Sequence, residues 1–289
     1  MPLSSTSRIL ITGAGAQLAS ALRARLEPLC VVTALTRRDL DVTTPADVAR
    51  AFRDVRPDVV INCAAFNDVD GAERRAPEAL ATNGLALASL ARHATSAGAV
   101  LVHYGTDFVF DSATDSGPLA ESAPVRPRSV YGQSKLLGEI YARQAPRHYI
   151  LRVESLFGGV PAKSSIDTMA ATLRRGGVVR AFADRTVSPS YVHDVADATA
   201  RLLDAAVPHG LYHCVNSGSG TWHDVALALA TALGADRALV TPVPLASVTM
   251  VAPRPKYAAL SNAALAACGV TLPDWRDAIA RYARALTEI

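Results

Sequence analysis

Cysteine, net charge and long apolar runs are all scarce in this chain, and each scarcity removes a class of protein. Four cysteines stand among 289 residues (Cys30, Cys63, Cys214, Cys268), far apart and with no C-x-x-C pair. They read as small apolar packing groups, neither a disulfide framework nor a thiolate metal site. Charged residues make up 19%, and Lys+Arg 29 against Asp+Glu 26 leaves +3. That is too little for the basic stripe of a nucleic-acid binder. No run reaches the roughly 18 apolar residues of a membrane span. Met1 to Ser7 is polar and passes straight into a strand-like run, unlike a signal peptide. A cytoplasmic protein without nucleic-acid or membrane partners is expected. Of seven histidines only His209 and His213 lie four apart. Gly210 and the strand-like run after it break the helix they would need to converge, so no metal is expected.

Half the chain is hydrophobic, enough for a sizeable core. Short apolar runs alternate with helical patterns. The strands predicted are Arg8–Thr12, Val31–Leu35, Asp58–Ala64, Ala99–Tyr104 and His148–Val153. Between them fall helices over Gln17–Leu26, Pro45–Val55 (Thr44 as N-cap), Pro77–Ala97 and Val130–Gln144. Near-continuous apolar strands in this rhythm mean an α/β fold with a doubly wound parallel sheet covered on both faces. After residue 153 the rhythm loosens. Pro161–Ile166 reads as a loop, followed by helices around Asp167–Arg175 and over Val192–Ala206, a strand Gly210–Val215, and helices over Thr221–Leu233 and Leu272–Leu286. A Rossmann domain of residues 1–152 plus about 186–209 is expected. A smaller, irregular substrate-binding lobe takes about 153–185 plus 210–289.

The first strand runs into its helix through Gly13-Ala14-Gly15-Ala16-Gln17-Leu18-Ala19. Such a turn seats a dinucleotide pyrophosphate against backbone N–H groups and the positive helix end. Gly13, Gly15, Ala16, Gln17 and Leu18 are the expected cofactor contacts. An acid about 20 residues on would hold the ribose hydroxyl of NAD. The second strand instead ends Leu35-Thr36-Arg37-Arg38, and a guanidinium suits a 2′-phosphate. NADPH is expected, with NADH as the alternative.

Tyr131 and Lys135 stand at i and i+4 on a predicted helix, hence on one face. Thr106 ends the fourth strand region, at the edge where a doubly wound sheet opens its crevice. When a carbonyl is reduced by hydride, negative charge develops on its oxygen and must be met by a proton or hydrogen bonds. Tyr131 is the expected acid, Lys135 is expected to lower the phenol's pKa, and Thr106 to orient the carbonyl.

These residues resemble the dTDP-4-dehydrorhamnose reductase family of extended short-chain dehydrogenases/reductases. The resemblance spans nearly the whole chain and rests on GAGAQLA at 13–19, PDVVINCAAFNDVDGA at 57–72, HYGTDFVF at 103–110, VYGQSKLLGE at 130–139, GLYHCVNSG at 210–218 and the closing Pro273-Asp274-Trp275. It implies NADPH-dependent reduction of the 4-keto group of a nucleotide-activated 6-deoxysugar, with Thr106, Tyr131 and Lys135 matching the catalytic triad. Asn62, Ala64 and Ala65 match the cofactor side, and Asn83 a helix position near the active site. Val69, Asp70, Thr106, Asp107, Arg185 and Arg254 are the expected substrate contacts, with Arg185 or Arg254 holding the diphosphate. Since some members pair, a homodimer is one expected assembly. The chain departs from the family at Gly105, where Ser is usual, and at Arg152-Val153-Glu154-Ser155, which replaces an Arg-Thr-Ser-aromatic run. Trp222 and Trp275 read as packing residues. A sugar-nucleotide epimerase and a non-catalytic cofactor-binding regulatory subunit are the alternatives. A 4,6-dehydratase is disfavoured because Phe108 follows Thr106-Asp107 where that branch carries a second acid.

Overall fold

The computed structural model describes residues 3–111, 117–205 and 207–287. The predicted helix end at Ala206 and the first two residues lie outside these. Six parallel strands form one sheet: β1 (Arg8–Thr12), β2 (Val31–Leu35), β3 (Val59–Asn62), β4 (Val100–Thr106), β5 (His148–Val153) and β6 (Gly210–His213), ordered β6-β5-β4-β3-β1-β2. Alternation along β1 sends Ile9 and Ile11 to one face and Leu10 to the other, feeding two separate cores. On the first face lie helices Gln17–Leu26 (α1) and Val192–Asp204; on the second, Pro45–Val55 and Ala86–Ala97. The chain reverses direction of winding between β1 and β3, and ligands of open α/β sheets bind outside the strand ends at such a point.

Two expectations are corrected here. Gly210–His213 is not part of the smaller lobe: it pairs with β5, Gly210 opposite Tyr149 and His213 opposite Arg152, because an edge-strand ladder satisfies the backbone of a buried apolar run. Leu265, Val270 and Leu272 pack in the same core, so the stretch 210–289 contributes to both bodies. Nor is Pro77–Ala97 one α-helix. Ala76–Ala79 leads into a π-helical stretch, Leu80–Leu85, before Ala86–Ala97 resumes. Asn83 lies within it, its side chain accepting from Phe66 N–H at 2.7 Å and donating to Phe66 C=O at 3.0 Å and Ser134 Oγ at 2.9 Å. Such bulges concentrate at functional sites.

The remaining segments build a second body around Phe157, Ile166, Val225, Leu229, Trp275 and Ile279. Capping boxes start two of its helices, Ser164 with Asp167 and Thr221 with Asp224. Among the described residues no helix is long and apolar enough to cross a membrane, and no cluster of three metal-ligating side chains occurs. All four cysteines are free; Cys30 and Cys214 are buried, Cys63 and Cys268 only partly.

Candidate active site

The carboxyl ends of β1, β3, β4 and β5 open into one crevice of about 620 Å³. Its floor is tied together from strand to strand. Thr12 Oγ1 donates to Asn62 Oδ1 at 2.6 Å, and Asn62 Nδ2 meets His103 Nδ1 at 3.2 Å. At one end, Gly13 has φ +67°, and a Cβ there would meet Ala64 N at 2.5 Å, so only glycine lets β1 and β3 approach this closely. Gly15 has nothing within 4 Å of where its Cβ would be. The crevice is therefore open to backbone N–H groups where α1 begins. Gly15, Ala16, Gln17, Leu18, Asn62, Ala64 and Ala65 all line it. This uncharged wall at a helix N-terminus fits a dinucleotide pyrophosphate. Arg37 stands outside the crevice wall, 82% exposed and 3.5 Å from Asp41. Asp39, the acid nearest the expected ribose position, turns back to accept from Thr36 N–H at 3.0 Å and Thr36 Oγ1 at 2.7 Å. These bonds pull its carboxyl below the ordinary range, so Asp39 is already engaged.

At mid-crevice the helix Val130–Ala142 (α2) starts at Ser129, whose hydroxyl accepts from Gly132 N–H at 3.1 Å. Glu73 Oε1 accepts from Val130 N–H at 2.9 Å. A Cβ at Gly132 would meet Phe108 O at 2.3 Å, so glycine here allows the helix to press against the end of β4. That contact brings Tyr131, Lys135 and Thr106 together. The Thr106 side chain acts on the Tyr131 phenol, lowering its pKa, and its hydroxyl donates to Asp107 Oδ1 at 3.0 Å. The Lys135 ammonium donates to Tyr104 C=O at 2.5 Å. All three catalytic candidates line the crevice and are buried.

The electrostatics depart from expectation at one point. Burial and the Asp107 carboxylate push the Tyr131 phenol above its ordinary value, opposed by Thr106, and Lys135 is not among the groups that lower it. Burial brings Lys135 itself down to about 8, with Glu139 opposing. Its ammonium is spent on a backbone carbonyl rather than on the phenol. The departure at Gly105 lies against a buried ion pair. Glu139 and Arg152 form a buried two-bond ion pair, 3.0 and 2.8 Å, and a Cβ at Gly105 would meet Glu139 Oε1 at 2.5 Å. A serine would require a shift in the pair that clamps α2 to β5.

The far end is charged. Arg185 is buried against Phe108, with Nε donating to Pro255 C=O at 3.1 Å. Arg254 lines the crevice and pairs with Asp70 at 3.0 Å. Val69 and Asp107 lie in the wall; Asp70 does not, because its carboxylate is turned to Arg254 and Ala252 N–H. Asp70 thus holds an arginine that lines the crevice. Glu154 is buried, its Oε2 accepting from Ser188 N–H at 2.6 Å. Sequence reasoning missed Phe108, Lys163, Ser155 and the crevice-facing role of Trp222, all wall residues. Ser155 at φ +45° is a backbone signal invisible in sequence. Lys163 lies in a segment recognisable only as a loop.

A nucleotide-cofactor crevice at the switch point of a parallel sheet, with Thr, Tyr and Lys converging in it, defines an extended short-chain dehydrogenase/reductase. Residues 7–288 match the family described as the RmlD substrate binding domain, and the chain belongs to that family. A dTDP-4-dehydrorhamnose reductase of Mycobacterium tuberculosis is 38% identical over 95% of this chain and 92% of its own length. A probable dTDP-4,6-dihydroxy-2-methyloxan-3-one 4-ketoreductase of Streptomyces antibioticus is 37% identical over 94% and 93%. Among solved structures, a dTDP-4-dehydrorhamnose reductase of Bacillus anthracis in complex with NADP superposes with TM-score 0.91 at 28% identity, covering 98% of this chain and all of that one.

Proposed function

We infer that the protein is an NADPH-dependent reductase of the 4-keto group of a nucleotide-activated 6-deoxysugar, of the dTDP-4-dehydrorhamnose reductase kind. The observation that carries this reading is the meeting of Thr106, Tyr131 and Lys135 in one crevice between an uncharged, glycine-lined end and an arginine-lined end. The glycine turn and the N-terminus of α1 hold the cofactor's pyrophosphate, and Arg37 reaches its 2′-phosphate. Bound NADPH supplies hydride chemistry. Thr106 positions the sugar carbonyl by a hydrogen bond, and the Tyr131 phenol gives its proton to the oxygen as charge develops there. A neutral phenol is the form this needs, and burial keeps Tyr131 neutral. Lys135, once its ammonium turns from Tyr104 toward the cofactor ribose, favours the phenolate left behind. Arg185 and Arg254 take the substrate diphosphate through charge-assisted bonds. On this reading the enzyme works in the cytoplasm, where reduced nicotinamide is supplied.

The test is a panel of dTDP-, GDP- and UDP-linked 4-keto-6-deoxysugars, followed by loss of reduced-nicotinamide absorbance. Consumption of added NADPH with a dTDP-linked ketosugar is expected. Turnover of a sugar nucleotide without added cofactor would indicate an epimerase, and cofactor binding without turnover a regulatory subunit.

A further inference from the structure

Thr106 ends β4 and Val153 ends β5, and the two are register partners. The next residues, Asp107 and Glu154, therefore leave adjacent strands side by side, where neighbouring strands run about 4.8 Å apart. Both are almost fully buried, 3% and 2% exposed. Each has one oxygen engaged, Asp107 Oδ1 by the Thr106 hydroxyl and Glu154 Oε2 by Ser188 N–H. The other oxygens, Asp107 Oδ2 and Glu154 Oε1, are buried with no partner among the described residues. One cation, Arg185, attracts both carboxyls. Of the other groups facing this cluster, Tyr131 is neutral and Arg254 is paired with Asp70. One guanidinium cannot neutralise two buried carboxylates, and a buried unpaired charge is expensive. Burial raises both carboxyls above their ordinary range, and the Asp107 carboxylate raises Glu154 further.

We propose that Asp107 and Glu154 are a carboxyl pair holding one proton between them, that they compete with the substrate diphosphate for Arg185, and that substrate binding is completed by uptake of a second proton from solvent. The proposal rests on the nucleotide-sugar reading above. A sugar nucleotide brings two permanent negative charges, since both its phosphates are esterified and do not titrate near neutrality. When Arg185 turns to them, the remaining carboxylate faces a new anion and has lost its cation, which favours its protonated form. Glu154, the chain's departure from the family's small hydroxyl residue, supplies the second carboxyl, and the pair thereby sets the pH range over which substrate binds.

Calorimetric titration of the full chain with dTDP-glucose, at pH 7.5 in buffers of different ionisation enthalpy, counts the protons taken up. Between about half a proton and one proton per site is expected, with Kd weakening up to about tenfold per pH unit above neutrality. Replacing both carboxyls, Asp107→Asn with Glu154→Gln, should remove the uptake and flatten the pH dependence while NADPH affinity stays unchanged, whereas either single variant leaves one carboxylate to take the proton. Binding without proton uptake in the wild type, or equal uptake in the double variant, overturns the proposal alone. The wild-type measurement decides by itself if the variant does not fold. No binding of dTDP-glucose overturns the nucleotide-sugar reading, and this proposal with it.

Discussion

The two ends of the crevice solve opposite problems. The end at β1 and β3 presents the start of α1 and the side chains of Ala16, Gln17, Leu18, Asn62, Ala64 and Ala65, none of them charged, with open space at Gly15. The end beyond β4 and β5 buries Asp107, Glu154 and Arg185 together. An anion at the first end is met by fixed peptide dipoles that need no partner of opposite charge. At the second, an anion draws on the cation that attracts both carboxyls, and its binding favours their protonated forms. The first end is thus pre-formed and nearly pH-independent, the second responsive to protons.

The largest predicted effect lies where the ends meet. Tyr131→Phe should lower kcat by ~10²-fold or more, the scale of a lost general acid, and leave both NADPH and dTDP-glucose binding intact. Steady-state turnover with equilibrium titrations of both ligands checks this; unchanged turnover removes the proton-donor role. The next two variants should act reciprocally. Arg185→Ala should weaken dTDP-glucose by about 10- to 100-fold with NADPH unaffected. Gly13→Ala, whose Cβ would meet the Ala64 backbone, should weaken NADPH by about tenfold and spare dTDP-glucose. If either variant damages both ligands equally, the division of the crevice is wrong.

The smallest effect is on stability. Glu154 is raised above its model-peptide value of 4.5, so the folded protein keeps a proton that the unfolded chain loses above that pH. Its contribution is full below the unfolded value and declines as pH rises toward the folded one. Glu154→Gln should therefore gain Tm relative to wild type as pH goes from about 5 to about 8, by roughly 2–4 °C at the upper end. Thermal melts across that range check it; a difference independent of pH would place the carboxyl in ordinary solvent.

The amino-acid order alone determined what depends on neighbours in sequence. Apolar runs set the five leading strands, Gly13 and Gly15 marked the turn into α1, and the i, i+4 spacing put Tyr131 and Lys135 on one face of their helix. Thr44, Ser129 and Thr221 stand at the helix starts where short polar residues are favoured. Only the tertiary structure decided what depends on strand register and on segments far apart in the chain. It took Gly210–His213 into the central sheet, broke a long helix at Asn83, turned Asp70 to Arg254, and left no room for a side chain at Gly105 beside the Glu139–Arg152 pair. Above all it set Glu154 beside Asp107 and Arg185. Local periodicity fixes which way a side chain faces along its own element, but burial and charge come from what other elements bring to it, and pKa values follow burial and charge.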